Sequence, residues 1–225
     1  MGWLTTSGVD LWQNLSARLR AVGDVVPNLF LRLILGWEFF ESGLEKFRGE
    51  NWFSEIQSSF PFPFNVVPAG ISWQIATWAE LAGAVFLWLG LFTRFSAFSL
   101  LFLTFVATTA VHFPESFTGW SDLLKGYAVS GDGYGNFKLP LLFAIMFLPL
   151  VFNGAGRLSL DHLLSRMFRA DSYPKPRFDM AAWGLGALIF GVCLLMLAPF
   201  FGYLSGAVLL ILGAVLLLAS ATLRA

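Results

Sequence analysis

Four glutamates, a lysine, an arginine and a histidine stand inside or at the ends of apolar runs, where ionisable groups are costly. In GWEFFESGLEKF, residues 36–47, Glu38, Glu41 and Glu45 recur at spacings of three and four, and Lys46 follows. At 100° per residue the three carboxylates lie within about 60° of one another, as one stripe on a helix. A second acid, Glu80, interrupts WQIATWAELAGAVFLWLGLF. A carboxylate at mid-bilayer costs about 2.5–3.5 kcal/mol on insertion scales, so acids kept there point to proton handling, ligand binding or helix pairing. Glu38 stands about 12 Å below Lys46, and Glu80 about 10 Å past Trp73, at 1.5 Å per residue. Similar depth on consecutive helices suggests that Glu38 and Glu80 share a pocket as a proton-handling pair, with Glu41 and Glu45 leading to the surface. A pair that only ties two helices together is the other reading. Ala76, Gly83 and Ala84 share the face of Glu80 and direct it into a bundle.

His112, Lys46 and Arg32 are the candidate ligand-binding groups around such a pocket. His112 ends an apolar run in TTAVHFPE. Each also has a plainer reading: His112, Lys46 and Glu45 as interface anchors, and Arg32 as a snorkelling inner-end residue. The segment NWFSEIQSSFPFPFNVVPAGISW is dense in Phe, Trp and Pro, and reads either as an aromatic cap over the pocket or as an interfacial belt.

These residues need a membrane scaffold. The chain has 57% hydrophobic and only 12% charged residues, with a mean hydropathy of +0.71, against about 25% charged in soluble domains. Six segments are long enough to span: 27–46, 73–92, 95–113, 137–153, 182–199 and 203–222. The fold class is therefore all-α, a polytopic membrane protein with a four-helix transmembrane bundle and a C-terminal transmembrane hairpin. Residues 1–26 place Leu11, Trp12, Leu15, Leu19 and Val22 at helical spacing, as a retained amphipathic helix on the membrane surface. The bundle domain covers 27–169. It closes with NGAGRLSLDHLLSRMFRA, where Gly154 and Gly156 end a helix, Ser159 or Asp161 caps the next, and Leu160, Leu163, Leu164, Met167 and Phe168 share an apolar face. Residues 170–181 form a Pro-containing linker and 182–225 a glycine-rich hairpin.

With the N-terminus inside, ten of the fourteen Lys and Arg residues, from Arg18 to Arg224, lie at the inner face. The positive-inside rule then places the chain in a bacterial-type inner membrane with both termini cytoplasmic. Zero net charge gives no sign of a nucleic-acid partner, and the lone Cys193 excludes a disulfide framework and dithiol exchange. No flavin motif is present, and His112 and His162 fall at opposite faces, so they cannot ligate one haem.

One ordered set of motifs resembles the DoxX family of small four-helix membrane proteins. It comprises Arg32-x3-Gly36-x6-Gly43-x2-Lys46, Glu80-x2-Gly83, Gly90-Leu91-x-Thr93-Arg94 and Gly154-x-Gly156-Arg157-x-Ser159-Leu160-Asp161. FPFP and the His112 ending look like its HvfX-type branch, and the resemblance covers about 27–164. It implies a membrane component linked to redox systems, and no catalytic assignment. The carboxylate stripe from mid-membrane to the outer surface favours a subunit of a quinone-linked oxidoreductase system, with quinone bound in the outer pocket and a protein partner supplying electrons. The alternative is a non-enzymatic accessory protein that docks a partner or assists metal or peptide handling. The extra hairpin departs from the family plan.

Overall fold

The computed structural model describes residues 2–114, 119–125, 135–170 and 177–222. Most of SGDGYGN, half of the 170–181 linker including Lys175, and Arg224 lie outside those residues. Among the described residues the regular structure is all helical, with no strand. In order, α1 spans Gly2–Gly23, α2 Val26–Arg48, α3 Ala69–Leu89, α4 Thr93–Ala107, α5 Trp120–Lys125, α6 Lys138–Asn153, α7 Leu160–Met167, α8 Met180–Met196, α9 Ala198–Phe201 and α10 Tyr203–Thr222. All six expected spans are helices, with ends shifted by no more than a few residues.

Two of them, Thr93–His112 and Tyr203–Thr222, are long and apolar enough to cross a membrane by themselves. α6 and α8 are apolar but shorter. α2 carries too many charges to qualify alone, yet at 23 residues it is about 34 Å long, enough for the hydrocarbon core.

Local chemistry sets the boundaries. Pro27 opens α2, where a missing N–H costs nothing. Gly90 closes α3 in the left-handed conformation, φ 63°. Ser159 caps α7 by accepting from the His162 N–H at 3.1 Å, so of the two expected caps the serine serves this helix. The exposed apolar stripe of α1, including Leu11 and Trp12, and the exposed Leu163 and Met167 of α7, with Phe168 just after it, suit helices lying on lipid.

α2, α3, α4 and α6 pack around Leu35, Phe39, Leu87, Leu100, Phe147 and Leu150. The hairpin adds Cys193 to this core and Met196 to a second cluster at the opposite end from α7. α8 and α10 lie in close contact: a Cβ on Gly184 would meet the Gly213 carbonyl at 3.0 Å, and one on Gly206 would meet Leu195 at 2.8 Å.

Candidate functional site

α2 approaches α3 through glycine. A Cβ at Gly43 would lie 2.9 Å from Leu81 Cγ and 3.0 Å from Glu80 Cβ, so only hydrogen fits there. This approach sets Glu80, 5% exposed, against the last turns of α2. Its Oε2 accepts from Lys46 Nζ at 2.9 Å. The lysine also donates to Ser42 Oγ at 2.8 Å, one turn back on its own helix. A lysine anchoring a helix end extends toward water. Lys46 instead folds inward, and only 15% of its side chain is exposed. Ser42, Lys46 and Glu80 thus form a largely buried charged site. Desolvation of this kind is tolerated when each charge is paired and hydrogen-bonded.

Aromatic rings close the end of the bundle beyond this pair. Phe53, Phe60 and Trp73 are each 7% exposed, and Phe53 meets Trp73 edge-on at 5.0 Å. This part of the aromatic loop is a packed cap; Trp52 and Phe62 stay exposed on it.

The structure brings Glu80 together with Lys46 and does not bring it together with Glu38. The buried face of α2 is Arg32, Leu35, Gly36, Phe39 and Gly43. Glu38, Glu41 and Glu45 form the expected stripe, but about 140–160° around the helix from Gly43, and all three are exposed. Matched depth fixed no rotation. Arg32 is at the far end of α2, about 21 Å from Lys46 by helical rise. It is 1% exposed, donates to the Leu158 carbonyl at 2.5 Å, and lies against Gly90, so it is a buried tie rather than a snorkelling side chain. His112 ends a π turn, Thr108–His112, and its Nδ1 is 2.5 Å from Asn136 Oδ1. Its recorded contact is with the second loop, not with the Glu80 pair.

That π turn helps to form a cavity of about 530 Å³ that the sequence did not reveal. Its walls come from the aromatic loop, the end of α4 and the hairpin turn: Phe60, Phe113 and Phe200 with Ser58, Ser59, Asn65, Thr109 and Tyr203. Phe113 stacks on Phe200 at 4.1 Å, and Thr109 Oγ1 donates to the Met196 carbonyl at 2.5 Å, so bundle and hairpin build it jointly. Among the described residues that line it there is no Asp, Glu, Lys, Arg or His. Single π turns inside helices are frequent at functional sites. The signal lay in residues from three distant segments, which no local pattern connects.

Two of the glycine motifs, Gly90-Leu91-x-Thr93-Arg94 and Gly154-x-Gly156-Arg157-x-Ser159-Leu160-Asp161, meet at the other, arginine-rich end. Asp161 accepts from the N–H groups of Phe92 at 2.7 Å and Thr93 at 2.9 Å, capping α4 from 68 residues away. Its own N–H donates to the Gly90 carbonyl at 2.8 Å. Arg94 Nη1 donates to the carbonyls of Val151, at 3.0 Å, and Phe152, satisfying the end of α6. This clasp is structural in kind, holding α3, α4, α6 and α7 in register.

The DoxX family model matches residues 28–113, which include Arg32, Lys46, Glu80, Arg94 and His112. A protein of Haemophilus influenzae, described as an uncharacterized protein, is 44% identical over 158 residues, covering 70% of this chain and 96% of that protein. No solved structure matches. With the clasp, the glycine-packed α2–α3 pair and these similarities together, the chain belongs to the DoxX family.

Proposed function

We propose that this membrane protein is the quinone-binding component of an oxidoreductase system whose electrons pass to or from a partner protein. The observation that carries the reading is the aromatic cavity between the aromatic loop, the π turn and the hairpin, whose described lining residues carry no charge. A quinone head group is flat, apolar on both faces and carries two carbonyl acceptors. Phe60, Phe113 and Phe200 supply ring-stacking walls. Ser58, Ser59 and Tyr203 supply hydroxyls, and Asn65 an amide, able to donate to those carbonyls. Exposed Phe62 and Tyr203 at the rim give a lipid-soluble ligand an apolar approach.

Reduction of a quinone takes two electrons and two protons. Glu80 and Lys46 are the buried ionisable pair at this end of the bundle, two turns of α3 beyond the capping Trp73. They are the groups assigned to proton exchange, with Glu38, Glu41 and Glu45 left outside that role. By the positive-inside rule the cavity opens to the outer face of the inner membrane, with both termini cytoplasmic.

A second reading, the partner-docking accessory protein, is favoured by the acidic stripe. Glu38 is exposed near the middle of a 23-residue span, where lipid contact is costly and a membrane partner would cover it. FPFP and His112 are the features that would set the chain in the HvfX-type branch under this reading. Purification from native membrane in mild detergent, with extraction of quinone and identification of bound proteins, separates the two. Stoichiometric quinone supports the first; a partner with no quinone supports the second and rejects the first.

A further inference from the structure

At the arginine-rich end a different cavity, of about 370 Å³, opens between the start of α4, the 153–156 turn and α7. Thr93, Arg94, Asp161 and His162 line its polar side, and Phe92 and Phe95 its apolar side. Those two rings are 62% and 70% exposed, which in a membrane protein sets them against acyl chains.

Arg94 is half used. Nη1 bonds to the two α6 carbonyls and fixes the guanidinium plane. Nε and Nη2 make no hydrogen bond among the described residues, and they face Gly154. A Cβ there would lie 3.4 Å from Nε and 3.5 Å from Nη2, and glycine leaves that space open. The Nε/Nη2 edge is the fork that holds phosphate or carboxylate through two parallel bonds. The second observation is independent. Thr93 is wholly buried, lines the cavity, and its hydroxyl has no hydrogen-bond partner among the described residues. Buried hydroxyls are rarely left so without a ligand or water. Asp161 also lines the cavity, but both its oxygens already accept from the α4 N-terminus, which offsets their charge.

We propose that this cavity binds the phosphodiester of a membrane phospholipid. The Arg94 fork and the Thr93 hydroxyl hold the phosphate oxygens, His162 flanks them, and the acyl chains run over Phe92 and Phe95. Free phosphate shares the head-group chemistry but leaves the apolar rim without a role.

The test uses the full chain in non-ionic detergent, titrated with dioleoyl phosphatidylglycerol, with bound lipid counted by native mass spectrometry. One lipid is retained by the parent chain, and affinity falls about tenfold in Arg94→Lys and in Thr93→Val, the loss expected for one hydrogen bond to a charged group. Thr93→Val keeps shape and removes an unbonded polar atom, so its lipid-free thermal stability is unchanged or higher. If Arg94→Lys fails to fold, Thr93→Val alone decides. Equal retention by parent and Thr93→Val overturns the proposal. So does equal retention of dioleoylglycerol, which lacks phosphate, or displacement of the lipid by millimolar inorganic phosphate, which assigns the site to the free ion.

Discussion

Replacing Lys46 by Met strips Glu80 of its cation while keeping the length and apolar stem of the side chain. Breaking a buried pair from one side costs about 3–5 kcal/mol, because the remaining charge stays desolvated. The Lys46 side chain retains 15% exposure and that of Glu80 7%, so the low end, about 3 kcal/mol, is expected. Glu80→Leu alone leaves the ammonium facing Ser42 and costs a similar amount. The double variant removes both charges and leaves two apolar side chains across the Gly43 contact. Its cost should fall to about 1 kcal/mol or less, since a buried pair exchanged for apolar groups of like volume is often neutral. With single losses of about 3 kcal/mol each and a double loss of about 1 kcal/mol, the cycle predicts a coupling of about 5 kcal/mol, larger than the average of about 0.6 kcal/mol for hydrogen bonds between membrane helices. Reversible unfolding in mixed micelles measures all four chains. Additivity within about 0.5 kcal/mol, as for independent sites, would refute the claim that the pair is desolvated and mutually dependent.

Gly43→Val should separate α2 from α3 at a cost of about 1–3 kcal/mol and abolish the Lys46–Glu80 coupling, whereas Gly70→Ala, with nothing within 4 Å, should be near neutral in the same unfolding assay. Asp161→Ala should cost about 2 kcal/mol by uncapping α4; Asp24→Ala, which loses an exposed 3.2 Å pair with Arg157, should cost about 1 kcal/mol or less. Single-cysteine variants at Lys125 and Arg169, in a Cys193→Ala background, should label from opposite sides of the membrane, Lys125 outside; labelling from one side would reject the orientation.

Helix positions were legible because apolar runs of span length are bounded by Pro, Gly and charge. The burial of Glu80 was legible too: Ala76 and Ala84 on its face are 4% and 0% exposed. Its partner was not. A lysine stem reaches about one helical turn in either direction along its helix, and nothing local says that Lys46 folds inward. The rotation of α2 was available in Gly36 and Gly43, a seven-residue repeat on one face that the acidic stripe avoids, but depth alone does not use it. Gly36 has the same close approach, since a Cβ would meet the Trp88 indole. The Asp161 cap and the aromatic cavity depend on contacts between segments tens of residues apart. Their residues were visible in the sequence, their meeting was not.

The central claim is that a quinone head group occupies the cavity walled by Phe60, Phe113 and Phe200. Photo-crosslinking of the membrane-embedded chain with an azido-quinone, followed by peptide mapping, tests it most directly. Label should fall on peptides containing residues 58–65, 109–114 and 199–203, should be competed by unmodified quinone, and should drop in Phe200→Ala. Label confined to the lipid-facing sides of α8 and α10, or unaffected by competitor, would contradict it.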